Sequence, residues 1–544
     1  MFKSLNKPKT YLLLGNVLLV FFLILLNNLK VLPLSIGDFL FFAFLVLAIA
    51  LYRPGWCFLL FIGMIPLENI NLAPTQLGFD IRPYQFVGAI IILALIIRLA
   101  TKRLSFKLIK PEWYDWLVVV FVASGFLSIL GASDKIASFK LSIIIGTFAA
   151  LYYLVRNYIQ NSEDFKRVIP FFLSSSIIVV FYGIWQNWRF LHNLSNFEAM
   201  PGRPNATFTE ADWLGIYLVL LIGIIYTLIY YSHVIASEAK QSRSNTDNLN
   251  FAGLPRRYAP RNDIFLYVFL IFTFVLLILT VSRSAWLAAF AVYVIFVTIF
   301  FTDLHWRNWK WRETSWLKLK IISSLVIAIA IVYLFHLTNF QLGNRAASTG
   351  TGLQEITISC EPKTKESDNW LDVPIKDQLD IDNIRELEKY HCRHINLEEI
   401  NSETQKGYFV TKAWRKDPNI DIRSSIYKKS WNEIKNHPIL GIGWGNINNI
   451  LGKDGRGTPL NSSNIFLETW LGAGIAGLLS LVILLVYILI KSIKNYYQAQ
   501  NDVQKTINLF ILISWVGLVV TNLFNAGIFL GIFWVWLAVV MITE

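Results

Sequence analysis

The stretch IFLYVFLIFTFVLLILTVSRSAWLAAFAVYVIFVTIFF, Ile264 to Phe301, decides the fold class. One bilayer crossing takes about 20 apolar residues, so a run of this length is too long for one helix. It reads as two membrane helices that turn at Ser282-Arg283-Ser284. A guanidinium is costly in hydrocarbon unless it faces protein, water or an anion. Arg283 is therefore either a snorkelling arginine at a helix end or a group retained for binding, and the placement of the turn bears on the choice.

Working outward, apolar segments recur at 11–29, 36–52, 55–67, 83–100, 116–132, 138–155, 167–188, 212–231, 320–338, 466–490, 507–523 and 525–541. The 55–67 segment is the weakest, being short and closed by Pro66. With 55% hydrophobic and 16% charged residues, the composition excludes an ordinary soluble domain and points to a polytopic membrane protein. The fold expected is all-α, with about 12–14 transmembrane helices and one large extracytoplasmic loop domain between the eleventh and twelfth spans. Its parts are 1–338, a membrane domain with a cytoplasmic insertion at 233–263; 339–464, the loop domain with an interfacial helix; and 465–544, three closing spans.

Orientation follows from lysine and arginine in short loops. With Lys3, Lys7 and Lys9 inside, the basic loops 102–110, 156–167, 240–261, 307–320 and 491–505 all fall on the cytoplasmic side. Loops 131–137 and 525–527 carry little positive charge. Fourteen crossings leave both termini cytoplasmic in an inner membrane. The net charge of +13 is thus a topology signal, and nucleic acid is not an expected partner. In the 233–263 loop, segments 234–242 and 253–263 resemble the translated product of a dispersed bacterial repeat element. They read as a disordered insertion without chemistry, because loops accept added length at little cost.

Three regions then share the outer face: the loop 189–212, the Ser282-Arg283 turn, and the hydrophilic stretch 339–464. An oxidising outer compartment permits a Cys360–Cys392 disulfide. His391, Cys392 and His394 are close in sequence but do not complete a zinc pattern, so no metal or other cofactor is expected. From Ile422 to Ile434 apolar residues recur at helical spacing opposite Lys428, Lys429, Glu433 and Lys435. That pattern fits an interfacial amphipathic helix, or a lid helix of the loop domain, ended by Asn436-His437-Pro438. In GIGWGN, Gly441 to Asn446, the alternating glycines permit close backbone approach, either as a flexible turn or as an anion nest.

Four segments together resemble the O-antigen ligase and polymerase family of bacterial membrane glycan-transfer proteins. They are GRPNATF at 202–208 leading to Asp212; TVSRSA at 280–285; Arg423 through HPILGIGWGN at 437–446; and NIFLE at 464–468 running into GAGIAG at 472–477. The resemblance covers mainly residues 200–480. It implies a glycan donor on a polyprenyl diphosphate, a lipid, glycan or protein acceptor, membrane lipids as surroundings, and transfer at the outer face of the cytoplasmic membrane.

The residue chemistry agrees. A diphosphate leaving group needs fixed positive charge, and arginine binds phosphate oxygens through a planar fork and stays protonated. Arg203, Arg283 and Arg423 are the candidates, one from each outer region, with Asn464 as a further substrate-binding position. Many members of the family have a histidine before the position of Asn464, where it resembles a general base; this chain has Ser463. A hydroxyl is a far weaker proton acceptor. His437 is the first replacement candidate, followed by Glu210, Asp212 and Glu468. The competing class is a transporter or flippase of an anionic lipid-linked substrate, with a catalytically silent family member as a third.

Overall fold

The computed structural model describes residues 8–104, 106–195, 197–200, 202–244, 259–300, 311–338, 342, 353–361, 380–381, 384–395, 399–416, 418–452 and 460–541. Eleven helices come first: α1 (Pro8–Asn28), α2 (Ile36–Tyr52), α3 (Pro54–Met64), α4 (Pro83–Ala100), α5 (Trp113–Leu127), α6 (Lys135–Tyr158), α7 (Ser162–Leu191), α8 (Ala211–Ser244), α9 (Ala259–Leu279), α10 (Arg283–Phe300) and α11 (Trp311–Leu334). After the hydrophilic region come α15 (Ile465–Gln498), α16 (Asp502–Asn522) and α17 (Gly531–Val539). Among the described residues, 8 helices are long and apolar enough to cross a membrane, so the protein is a mostly helical polytopic membrane protein whose membrane part is all-α. The long run that opens the sequence argument divides as its polar centre requires, α9 ending at Leu279 and α10 starting at Arg283. The middle of the bundle is α8, buried almost throughout its Ala211–Ser232 stretch.

Two of the fourteen apolar segments form helices far shorter than a bilayer crossing. The 55–67 segment closes as the 11-residue α3, and 525–541 becomes a 3-10 turn, Gly527–Phe529, followed by the 9-residue α17. At about 1.5 Å per residue these reach roughly half of a hydrocarbon layer about 30 Å thick. Backbone that stops short must be satisfied inside the protein. It is satisfied at one place, where Glu68 beyond α3 accepts from the Gly531 amide that opens α17 (2.7 Å) and from the Tyr84 hydroxyl (2.9 Å). Arg82, at the start of α4, pairs with the same carboxylate at 3.1 Å and donates to the Phe529 carbonyl at 3.0 Å. At the other end of α17, Arg156 of α6 donates to the Met541 carbonyl and pairs with Asp115 of α5.

The insertion also differs from its expectation. The structure carries α8 on to Ser244 and opens α9 at Ala259, so the flanks of the expected disordered loop are helical. Residues 245–258 lie outside the described residues.

The hydrophilic region contributes β1 (Leu353–Cys360), β2 (Asp380–Ile381), β3 (Cys392–His394), α12 (Glu399–Gln405), β4 (Phe409–Lys416), α13 (Pro418–Asn436) and α14 (Ile447–Leu451). The strands form one sheet in the order β2-β4-β1-β3, with Cys360 opposite Cys392 in the antiparallel register and the two joined by a disulfide. That bond removes Cys392 from any ligand set with His391 and His394. Beneath the sheet lie Ile356, Ile358, Leu387 and Ala413. Buried Glu403 of α12 holds Lys406, Ser359 and Arg393; chiefly through the Lys406 hydrogen bond, its carboxyl titrates below the usual range. The sheet unit touches the helical bundle where Asn401 meets Asn193, just beyond α7.

Helix α13 turns Ile426 and Ile434 onto a small core with Ile442, Ile447, Leu451 and Leu471, leaving Ile422 and Trp431 exposed. Most of its apolar face is thus covered by this chain's own residues.

Candidate functional site

The central helix begins at the site. Ahead of α8, the 202–208 segment folds back so that the Arg203 guanidinium reaches the Asp212 carboxylate at 3.1 Å and the Thr280 carbonyl at 2.9 Å. One side chain thereby ties the start of α8 to the end of α9. The Ser282 side chain also hydrogen-bonds Asp212, and Arg423 lies within electrostatic reach of it. A Cβ on Gly215 would stand 2.7 Å from that of Ala285, so glycine lets the first turns of α8 and α10 approach closely. Arg283, half-buried, opens α10 beside Ser282 and Ser284.

A second set of contacts closes the ring from the loop after α16. The Leu523 carbonyl accepts from Asn464 Nδ2 at 3.1 Å, the Phe524 carbonyl accepts from Arg423 at 3.4 Å, and Asn525 donates to Ser284 Oγ at 2.9 Å. Arg423 also lies 5.5 Å from the centre of the Phe524 ring. Three consecutive residues thus gather the 280–285, 423 and 464 segments. Asn464 itself caps α15, its side-chain oxygen accepting from the Phe466 and Leu467 amides.

The backbone is strained where the segments meet. Ala206, Val281 and Ser463 hold φ of 46°, 53° and 50°, in the left-handed region that side chains with a Cβ rarely occupy. For β-branched Val281 the conformation is a genuine outlier, and such outliers gather at binding sites because the surroundings can hold them there.

Residues 268–482 match the model of the O-antigen ligase family. Over that stretch the chain is similar to the O-antigen ligase family. No curated protein and no solved structure matches the chain. The similarity agrees with the apolar helices in pointing to a membrane setting. The match takes in Arg283, the sheet unit, Arg423 and Asn464, and stops short of Arg203 and the 523–525 loop, which geometry alone brings to the same place.

Several other residues singled out from the sequence fall elsewhere. His437 is exposed just past the end of α13, while Arg423 is near its beginning. Fourteen residues of helix separate them by about 21 Å, so the structure does not bring His437 to the arginines. Glu468 is buried and occupied by Ser462, whose amide and hydroxyl donate to the same oxygen at 2.8 and 2.5 Å. It holds the turn that leads into α15. Glu210 immediately precedes α8, two residues from Asp212, and is half-buried.

The GIGWGN segment belongs to packing. Gly441, Gly443 and Gly445 all have φ between 70° and 82°, and a Cβ on Gly441 would stand 2.4 Å from the Leu471 carbonyl oxygen. Between these turns Trp444 is driven, fully buried, against Gly472 of α15 and Gly125 of α5. Close backbone approach is realised, but toward helices. Gly474, with φ of 68°, breaks α15 at this level. The 439–442 turn repairs the break: the Ile475 amide donates to the Ile439 carbonyl and the Ile442 amide to that of Leu471.

Proposed function

We propose that this protein moves a glycan from a polyprenyl diphosphate to a hydroxyl acceptor, or polymerises such glycans, at the outer face of the cytoplasmic membrane. The observation that carries the reading is the convergence of the Arg203, Arg283 and Arg423 segments around Asp212 and the 523–525 loop. Breaking the glycosidic bond leaves charge on the diphosphate, and preorganised guanidinium groups stabilise that charge most as it develops. The arginines supply the positive charge that other phosphate-transfer sites draw from a metal ion, so EDTA should leave the reaction unchanged. Asn464 fixes the entry of α15 beside the same loop and borders the donor site.

The test is purified protein given a radiolabelled polyprenyl-diphosphate oligosaccharide and an acceptor glycolipid on one side of the membrane. Transfer of label with release of polyprenyl diphosphate is the expected result; no transfer with any acceptor overturns it.

One observation favours a second reading. Short helices α3 and α17 meet end to end at a buried ion pair, and broken helices of this kind form substrate sites in transporters. Label carried across proteoliposomes without chemical transfer would replace glycan transfer by transport.

A further inference from the structure

We propose that Asp212 serves this site twice: as the counter-anion that holds the arginines in place before the donor arrives, and as the acceptor of the proton released when the glycan moves. The proposal rests on the glycan-transfer reading above.

The geometry singles out this carboxylate. A histidine is missing at Ser463, His437 stands at the far end of α13, Glu468 is committed to Ser462, and Glu68 is fully enclosed with Arg82 and Tyr84. Asp212 instead lies among Arg203, Ser282 and Arg423, and its side chain is 30% exposed. A carboxylate offers about four acceptor positions, so Arg203 and Ser282 leave room for a hydroxyl.

Its pairing with Arg203 gives the order of events. A carboxylate sharing its charge with a guanidinium accepts a proton poorly. An arriving diphosphate carries more charge and competes for the same fork, drawing Arg203 away and leaving Asp212 free beside the acceptor. In the transfer step the acceptor oxygen forms a bond to the anomeric carbon and the bond from that carbon to the diphosphate oxygen breaks. The electron pair leaves on the polyprenyl diphosphate, the hydroxyl proton passes to Asp212, and water later removes it. Before a donor binds, the carboxylate is not an active base.

The distinguishing experiment compares wild type with Asp212→Asn, which keeps the shape and a carbonyl for Ser282. Polyprenyl diphosphate without glycan is the binding probe, and single-turnover glycan transfer is the rate. Removing the competing negative charge should tighten probe binding about tenfold. Transfer should fall about a hundredfold or more, the usual contribution of a positioned base. Asp212→Glu should keep at least about a tenth of the rate, since a carboxylate remains. If Asp212→Asn does not fold, Asp212→Ser carries the same expectations. Weaker binding and slower transfer in equal measure would make Asp212 a structural residue and overturn the proposal, as would an unchanged rate. Wild type that fails to bind the probe would overturn the glycan-transfer reading itself, whereas wild type that binds and transfers while Asp212→Asn matches it overturns only this one.

Discussion

Two arginine–carboxylate pairs, Arg82–Glu68 and Arg203–Asp212, have the same 3.1 Å separation and opposite circumstances. Glu68 is 0% exposed; its oxygens take the Gly531 amide, the Tyr84 hydroxyl and Arg82, and Arg82 spends further donors on the carbonyls of Glu68 and Phe529. Asp212 is 30% exposed, and among the described residues its arginine bonds a carbonyl and a thioether besides. Distance alone therefore does not separate a structural ion pair from a binding one. What separates them is whether the partners' remaining hydrogen-bonding capacity has been used. The first pair joins the ends of α3, α4 and α17; the second joins helices and still faces outward.

The largest effect should come from opening the closed pair. Glu68→Ala leaves half-buried Arg82 without its counter-charge and strips the Gly531 amide of its acceptor, a loss of about 3 kcal/mol. The expected outcome is little folded protein in detergent by size-exclusion and a much lowered melting temperature. A Glu68→Ala protein of normal stability that fails only in transfer would erase the contrast between the pairs.

The reverse holds for the site. Arg283→Lys keeps the charge and loses the fork, so folding should be normal while transfer falls about a hundred- to a thousandfold. Arg203→Ala and Arg423→Ala should each slow transfer as well, and the double variant should be less than multiplicative if one diphosphate engages both. Wild-type turnover in a well-folded Arg283→Lys protein, measured from a donor already at the outer face, would remove Arg283 from the site.

The sequence named both members of the second pair, though not their pairing, and was silent about the first, for a physical reason. Arg203 and Arg283 interrupt or border long apolar runs, where an unexplained charge is costly and therefore conspicuous. Glu68 and Arg82 sit in the 65–82 connection, which has the composition of an exposed loop; only the premature stop at Pro66 hinted that chain there turns inside the protein. The 523–525 loop acts chiefly through backbone carbonyls, which every residue possesses, so no residue type marks it. The spanning helices were legible because apolar length dictates them. The sheet had a readable signal in the alternation of Ile356, Ile358 and Cys360, which the mixed charge around it obscured. The glycines of 441–445 correctly announced close approach, but glycine does not say whether the approaching group is a ligand or a helix.

Smaller effects should follow in the sheet unit, which lies outside both pairs. Cys360→Ser removes a bond closing a loop of sequence separation 32, for which about 3–4 kcal/mol of local stability is expected. Faster proteolysis between β1 and β3 should appear while the helical bundle keeps its melting temperature. Acid should act in the same place. The Glu403 carboxyl titrates below its unfolded value because Lys406 hydrogen-bonds it, with Ser359 and Arg393 adding to the effect. Its stabilisation is therefore present above the ordinary glutamate range and fades as pH falls through the lowered folded value. Glu403→Gln should flatten that acid dependence, as read by hydrogen exchange in β1 and β4; an unchanged profile would assign the acid sensitivity to other groups.

The smallest effect is expected at the opposite end of the bundle, between α8 and α9. Asp212 and the buried part of α8 are fixed by contacts with α9, α10 and α16. Replacing 245–258 by a short basic linker shortens the connection without touching either ion pair, and loop length alone changes closure entropy by only about 0.6 kcal/mol per doubling. Folding and transfer should stay within about twofold of wild type. A basic linker keeps the positive charge of the connection, so a lost activity could not be blamed on inverted topology. A large loss in correctly inserted protein would mean that the repeat-like segment takes part in the activity.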